Sequence, residues 1–410
     1  MSANFALPRP AAAALLLTLI AALAVIVTSP GATAQSTAAA NVGAADRRQV
    51  ATISLLPPIA QVGAGTTRSR AAKTVVSATF QPVRAGRPIV LTRRHQGSWH
   101  PVERTTLDGS GLVEFTAPTR LRGQPVEYRV TALAHKGLSQ HSTAVELSTQ
   151  WGDPGFVDEF AGTALDGGWD HRIQFPNPWG GRSCSKGSPA AAAIADGALR
   201  LSVLPDPEIA EPCTPSNGDG VPLPTSGGPF RHRINGHVST RYAADFRYGV
   251  VAARMKFQQG RGQHASFWLQ PRGLLEFGTT PWGAEIDVVE WYGSDDRRGG
   301  LTSTVYRPTP AGEKVRIGSD FGDPDRFLSS RSDAWWKNYH VFSVEWTPHE
   351  YVFRIDGHET WRTTEGISHH PQFMILSLLS SDYELPAHGD ESQISEHSYV
   401  DWVQFWEAGH

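Results

Sequence analysis

Three carboxylates fall within six positions of one apolar run, Gly283-Ala284-Glu285-Ile286-Asp287-Val288-Val289-Glu290-Trp291. The β-branched content of the run predicts a strand, and acids are depleted in strands, so this density needs a reason. Side chains alternate faces along a strand, which puts Glu285 and Asp287 on one side and, by parity, Glu290 on the other. One inserted residue at Val288-Val289 reverses that parity, and the sequence predicts such a β-bulge. Like charges a few ångströms apart cannot all stay ionised, so one carboxyl is pushed to hold its proton near neutral pH. A protonated acid beside an ionised nucleophile is the pair that cleavage of a glycosidic bond requires. Retention of configuration needs the two carboxyls about 5–5.5 Å apart, inversion roughly 6.5–9.5 Å. Two convergent glutamate side chains can close much of the ~13 Å between their backbone positions. On this segment alone, a solvated strand face or a calcium site accounts for three acids equally well.

The surrounding text is strand-like. Ala198-Leu199-Arg200-Leu201-Ser202-Val203 alternates, as does Tyr351-Val352-Phe353-Arg354-Ile355 before the turn pair Asp356-Gly357. Tyr399 to Trp406 reads as a closing strand. About 260 residues of this kind fit a double-sheet jelly roll. Between Pro205 and Pro229 lies a Pro- and Gly-rich stretch containing Cys213, long enough to wall one side of a cleft. Upstream, residues 51–149 carry short runs such as Thr74 to Phe80, Pro88 to Thr92, Leu112 to Phe115 and Val126 to Val130, punctuated by Asp108-Gly109 and Arg122-Gly123. Strands at that spacing predict a smaller antiparallel sandwich, immunoglobulin-like or fibronectin-like, with no catalytic spacing in it. Trp151-Gly152-Asp153-Pro154-Gly155 marks the boundary, and of thirteen tryptophans only Trp99 precedes it. The expectation is an all-β chain with two domains, 51–149 and 150–410, and the functional load in the second.

The first 34 residues have the order of a secretory signal peptide: Arg9, an apolar run from Ala11 to Val27, then Ala32-Thr33-Ala34 before Gln35. Residues 35–50 read as a flexible leader. Export predicts an extracellular protein with no membrane partner after cleavage, and an oxidising compartment pairs Cys184 with Cys213. Closing that loop contributes about 3 kcal/mol on the chain-entropy model. Removing Arg9 with the leader shifts the formal charge from −3 by one unit, and no basic cluster offers a surface for nucleic acid. A monomer is expected.

The motif and its flanks resemble glycoside hydrolase family 16, in its E-x-D-x-x-E branch of laminarinases, agarases and carrageenases. Phe156 to Phe160 with Leu165-Asp166 and Trp169 is similar to the family's opening; Phe246 to Lys256, Gly260-Arg261-Gly262 and Ser266 to Leu269 are similar to the strand pair before the catalytic strand. Tyr339 to Pro348, Ile355-Asp356-Gly357 and Tyr399 to Val403 follow in register. The resemblance implies a concanavalin-like jelly roll with Glu285 as nucleophile, Glu290 as acid and then base, and Asp287 between them adjusting both. It implies a sugar platform at Trp268 and a second candidate at Trp282, each with a core role as the alternative. His264 stands where laminarinases commonly show tryptophan, and Tyr306 where many relatives have histidine. Both positions line the family's cleft, so the chemistry carries over further than the specificity. Glu159 and Asp401 hold positions suited to a structural calcium of the kind family members often bind; catalysis itself needs no cofactor.

These readings imply a secreted retaining endo-glycosidase of a β-linked polysaccharide, a β-1,3- or mixed-linked glucan first. A galactan hydrolase or a transglycosylase on the same scaffold is the alternative, and a lectin-like binder without turnover the third reading.

Overall fold

The alternating runs become strands almost everywhere they were expected. A computed structural model describes residues 48–223, 230–272, 283–294, 296–309, 313–385, 394 and 396–408; the leader sequence 1–34, most of 35–50 and Trp282 lie outside them. Ala45–His410 forms one compact unit.

Within it, two small sheets pack face to face near the N-terminal end. One orders the strands Val50–Ala60, Lys73–Gln81 and Leu112–Ala117; the other is built on Glu127–Ala132, Pro88–His95 and Ser98–Thr106. Period-two patterning sends Val76, Ala78 and Phe80 inward against Ile89, Leu91, Tyr128 and Val130. The strand Val50–Ala60 runs through Pro57-Pro58. The prolines are accommodated at register shifts between Leu56 and Ala60, where no ladder N–H is required of them.

The remainder is a β-jelly-roll of two sheets that share the strand Ala198–Pro205. On one side, neighbouring strands run Lys314–Phe321, Leu301–Pro308, Glu285–Trp291, His264–Pro271, Gln372–Leu379 and Arg233–Ser239. On the other they run His397–Glu407, Gly249–Lys256, His340–Trp346, Tyr351–Ile355 and His358–Thr363. Between them lies an apolar core that includes Phe267, Ile286, Val289, Phe342, Leu376 and Val403. Asp356-Gly357 forms the expected tight turn, both residues at positive φ. A side chain at Gly357 would collide with Val75 of the small sandwich, so this glycine serves packing as well as turning.

The two sandwiches share a third apolar cluster. Leu56, Ile59, Ala60, Ala72 and Val75 meet Val250, Ala252, Val341, Trp402 and Trp406 on the outer face of the second sheet. Glu114 of the small sandwich pairs with the buried Arg354 guanidinium and accepts the Glu359 N–H at 2.8 Å.

Candidate active site

Val288 has no partner on the His264–Pro271 side, where Phe267 pairs with Val289 and Trp268 with Asp287. On the Leu301–Pro308 side, Asp287 pairs with Thr304 and Glu290 with Thr302, leaving Val288 and Val289 opposite Ser303 alone. This is the expected bulge. Its displaced Val288 carbonyl accepts the Ser303 hydroxyl at 2.9 Å, so no backbone acceptor is orphaned there. Val288 and Val289 are buried, while Glu285, Asp287 and Glu290 all line one cavity of about 170 Å³ on the inner sheet. One register row crosses the cleft floor through His237, Ser377, Ser266, Glu290 and Thr302.

Each acid has its own surroundings. Glu285 accepts the Lys314 ammonium at 2.9 Å and the Gln270 amide at 3.3 Å. Burial acts to lower the Lys314 pKa, but the Glu285 charge and its hydrogen bond outweigh burial and hold the ammonium above its ordinary value. Asp287 is only 4% exposed and accepts the Thr304 hydroxyl at 2.7 Å. Burial, then repulsion from Glu290 and Glu285, pushes its carboxyl well above the usual range. Of the three acids it is thus the middle one that crowding lifts. Glu290 accepts hydrogen bonds from the Tyr292 hydroxyl at 3.1 Å and the Thr302 hydroxyl at 3.2 Å. Burial, then the Glu290 charge, raises the Tyr292 phenol and keeps it a donor.

Trp268, His264 and Tyr306 line the same cavity. Trp268 is half-buried, not a core tryptophan, and its indole N–H donates to Ser377 at 3.2 Å. His264 Nδ1 meets Glu384 at 2.8 Å, and its ring stacks on Tyr292 with centroids 5.0 Å apart. The Lys314 ammonium lies 4.0 Å from the Tyr306 ring centroid. Cys184 and Cys213 are disulfide-bonded. Asp382 gathers the same region by accepting the N–H groups of Ser183, Cys184 and Ser216 at 2.7–3.1 Å. That strap delivers Arg182, and the residue after Asp382 delivers Tyr383, to the cavity wall.

Sequence reasoning missed Lys314, Tyr292, Thr304 and Arg182. Tyr292 could have been found, since it lies two positions beyond Glu290 and shares its face. Lys314 reaches Glu285 from two strands away, and no local spacing announces that.

The calcium pair fares differently. Glu159 accepts Arg68 at 2.6 Å, the Ser69 N–H at 3.0 Å and the Ser69 hydroxyl at 2.7 Å. Asp401 pairs with the buried Arg254 guanidinium and accepts the Thr67 N–H at 3.1 Å. Arg254 also donates to the carbonyls of Gln61, Gly63 and Gly65 at 2.8–3.1 Å. Calcium takes six to eight oxygen ligands. Here the carboxylate oxygens already accept N–H and O–H donors, and a guanidinium supplies the positive charge. These residues do not fit a calcium ion.

The inner sheet of the jelly roll thus gathers three acids, a half-buried indole and several hydroxyls around one cavity. Residues 224–404 match the family model described as Glycosyl hydrolases family 16. Glucan endo-1,3-beta-glucosidase A1 of Niallia circulans is 22% identical over 273 residues, 61% of this chain and 37% of that protein. The beta-glucanase of Rhodothermus marinus is 27% identical over 130 residues, 31% of this chain and 41% of that one. The chain thus spans about two fifths of the length of these relatives. Among solved structures, the laminarinase catalytic domain of Thermotoga maritima MSB8 covers 63% of this chain and 99% of its own at 19% identity, with a TM-score of 0.48.

Proposed function

We propose that this protein is a retaining endo-acting hydrolase of a β-linked glucan, acting outside the cell. The observation that carries the reading is the bulge at Val288-Val289, which turns three acids of one strand into a single cleft. The endo-glucanase names of the relatives point the same way, and the disulfide suits an oxidising compartment.

In this reading the Glu285 carboxylate, paired with Lys314, attacks the anomeric carbon while the bond to the leaving oxygen breaks. Glu290 gives that oxygen its proton and becomes a carboxylate. A water then enters; Glu290 takes its proton, the water oxygen bonds to the anomeric carbon, and Glu285 leaves. Asp287, its carboxyl lifted above the usual range by burial and by both glutamates, accepts the Thr304 hydroxyl between them and adjusts both. Tyr292 and Thr302 steady the Glu290 carboxylate after it has lost its proton.

The test is reducing-end release from laminarin, mixed-linkage glucan, agarose and carrageenan by the full chain, with Glu285→Gln as control. Release from a glucan that disappears in the variant supports the reading. Release from a galactan alone would move the substrate, and binding without turnover on every polymer would replace the hydrolase by a lectin-like protein.

A further inference from the structure

The cleft floor beyond Trp268 holds two guanidinium groups that pair with no carboxylate among the described residues, although Asp170 and Glu285 act on Arg172 from a distance. The Arg172 guanidinium lies 5.4 Å from the Trp268 ring centroid, and the His237 ring stacks on the same indole with centroids 6.2 Å apart. Arg182, on the disulfide strap, lines the cavity shared with Trp268 and Glu285. Among the described residues neither arginine forms an ion pair. The side-chain hydrogen bond that Arg172 makes is to Gln270 Oε1 at 3.5 Å, the outer limit of such a contact.

Buried polar atoms are left over here. Among the described residues Arg172 Nη1 and Arg182 Nε are donors shielded from solvent without a partner, and both ring nitrogens of His237, one donor and one acceptor in the neutral ring, are likewise unpartnered. Two buried arginines of the chain, Arg254 and Arg354, meet the carboxylates of Asp401 and Glu114 instead. Burial, then repulsion from Arg241, draws Arg172 down to about 10, which leaves it charged at neutral pH. Leaving such donors unpaired costs about 1–3 kcal/mol each. A group that would satisfy both guanidinium forks is an oxyanion with several acceptor oxygens. The Arg172 backbone N–H donates to the His237 carbonyl on Arg233–Ser239, three strands from Glu285–Trp291 in the same sheet.

We propose that this end of the cleft is an anion-recognising subsite, in which Arg172 and Arg182 grip a carboxylate or sulfate ester carried by the polysaccharide. The placement rests on the hydrolase reading; the recognition does not. The substrate class becomes a β-linked polysaccharide with negatively charged substituents, and an uncharged glucan fills the cleft without answering these donors.

Binding separates the two ideas. The full-length Glu285→Gln protein is run through native gels containing laminarin, carboxymethylated laminarin or sulfated laminarin, and its dissociation constant is read from the retardation. The expected result is at least about tenfold tighter binding to one charged polymer, since charge-assisted bonds to arginine are roughly twice as strong as neutral ones. The carboxymethylated and sulfated arms identify which oxyanion is held. Adding Arg172→Gln and Arg182→Gln should bring the charged-to-neutral ratio close to one, whereas Arg104→Gln, exposed on the small sandwich, should leave it intact. Arg182→Gln alone, on the half-exposed strap, serves if the pair does not fold. Equal affinity for all three polymers, or a preference that survives the substitutions, would overturn the subsite. Turnover by the unmodified protein is measured in parallel. Absence of cleavage with the arginine-dependent preference intact would remove the hydrolase reading and leave the subsite standing.

Discussion

The jelly roll carries two groups of carboxylates, one in each sheet, and both sit at β-bulges. In the inner sheet the bulge at Val288-Val289 brings Glu285, Asp287 and Glu290 together. In the outer sheet the register slips where Arg254 pairs with Trp402 and Met255 with Val400, leaving Asp401 as the extra residue. The outer group is neutralised: Arg254 meets Asp401, Arg68 meets Glu159, and the amides of Thr67 and Ser69 take further oxygens. The inner group has one ion-paired cation, Lys314, for three acids, and burial with the two neighbouring glutamates lifts Asp287 well above the usual carboxylate range. The same backbone device thus serves stability where charge is compensated and chemistry where it is not.

Breaking the inner group should have the largest effect. Glu285→Gln and Glu290→Gln are each expected to lower the turnover number by about 10³–10⁵-fold, with the far-ultraviolet circular dichroism unchanged. Breaking the outer group should cost stability and not chemistry. Arg254→Met leaves Asp401 buried without its partner, and urea unfolding should show a loss of about 3–5 kcal/mol. Activity per folded molecule should hold, and chelators should leave the melting temperature of the unmodified protein where it is.

Asp287→Asn sharpens the contrast. It keeps the neutral hydrogen-bonding form while losing the titratable proton, so turnover should fall about 10–100-fold and the alkaline limb of its pH profile should move upward. Stability should respond with a definite sign. A carboxyl whose folded pKa is raised above its unfolded value binds its proton more tightly in the folded state. Its contribution is most favourable below the unfolded pKa and is lost as pH rises through the folded one. Asp287→Asn should therefore gain stability relative to the unmodified protein as pH increases, measured by urea midpoints at successive pH values. The smallest effect belongs to Tyr292→Phe, which removes one hydrogen bond to Glu290. A loss of about 3–10-fold in turnover, with the Michaelis constant little changed, is the expected outcome.

Much of this was legible in the sequence. Period-two runs gave the strands from Ala198 to Val203 and from Tyr351 to Ile355, and three acids at i, i+2 and i+5 gave the bulge, because one insertion is the simplest way to put them on a common face. What stayed hidden depends on register between distant strands. Lys314 meets Glu285 only because Leu301–Pro308 pairs with neighbours on both sides. Glu159 and Asp401 were legible as a pair of neighbouring acids, but their partner was not. The family resemblance suggested an ion, whereas this chain supplies a guanidinium and the segment from Gln61 to Ser69. The same blindness made residue 150 look like a clean boundary.

That segment changes where the molecule can be cut. A fragment beginning at Trp151 retains Glu285, Asp287 and Glu290. It would nevertheless strip the amides from Glu159 and Asp401, remove three carbonyl acceptors from Arg254, and bare Val250, Ala252, Val341, Trp402 and Trp406 to water. Exposed apolar surface of that kind is an aggregation liability. An expression clone meant to isolate the catalytic half should start upstream of Val50, and one begun at 151 should come out of the cell as insoluble material.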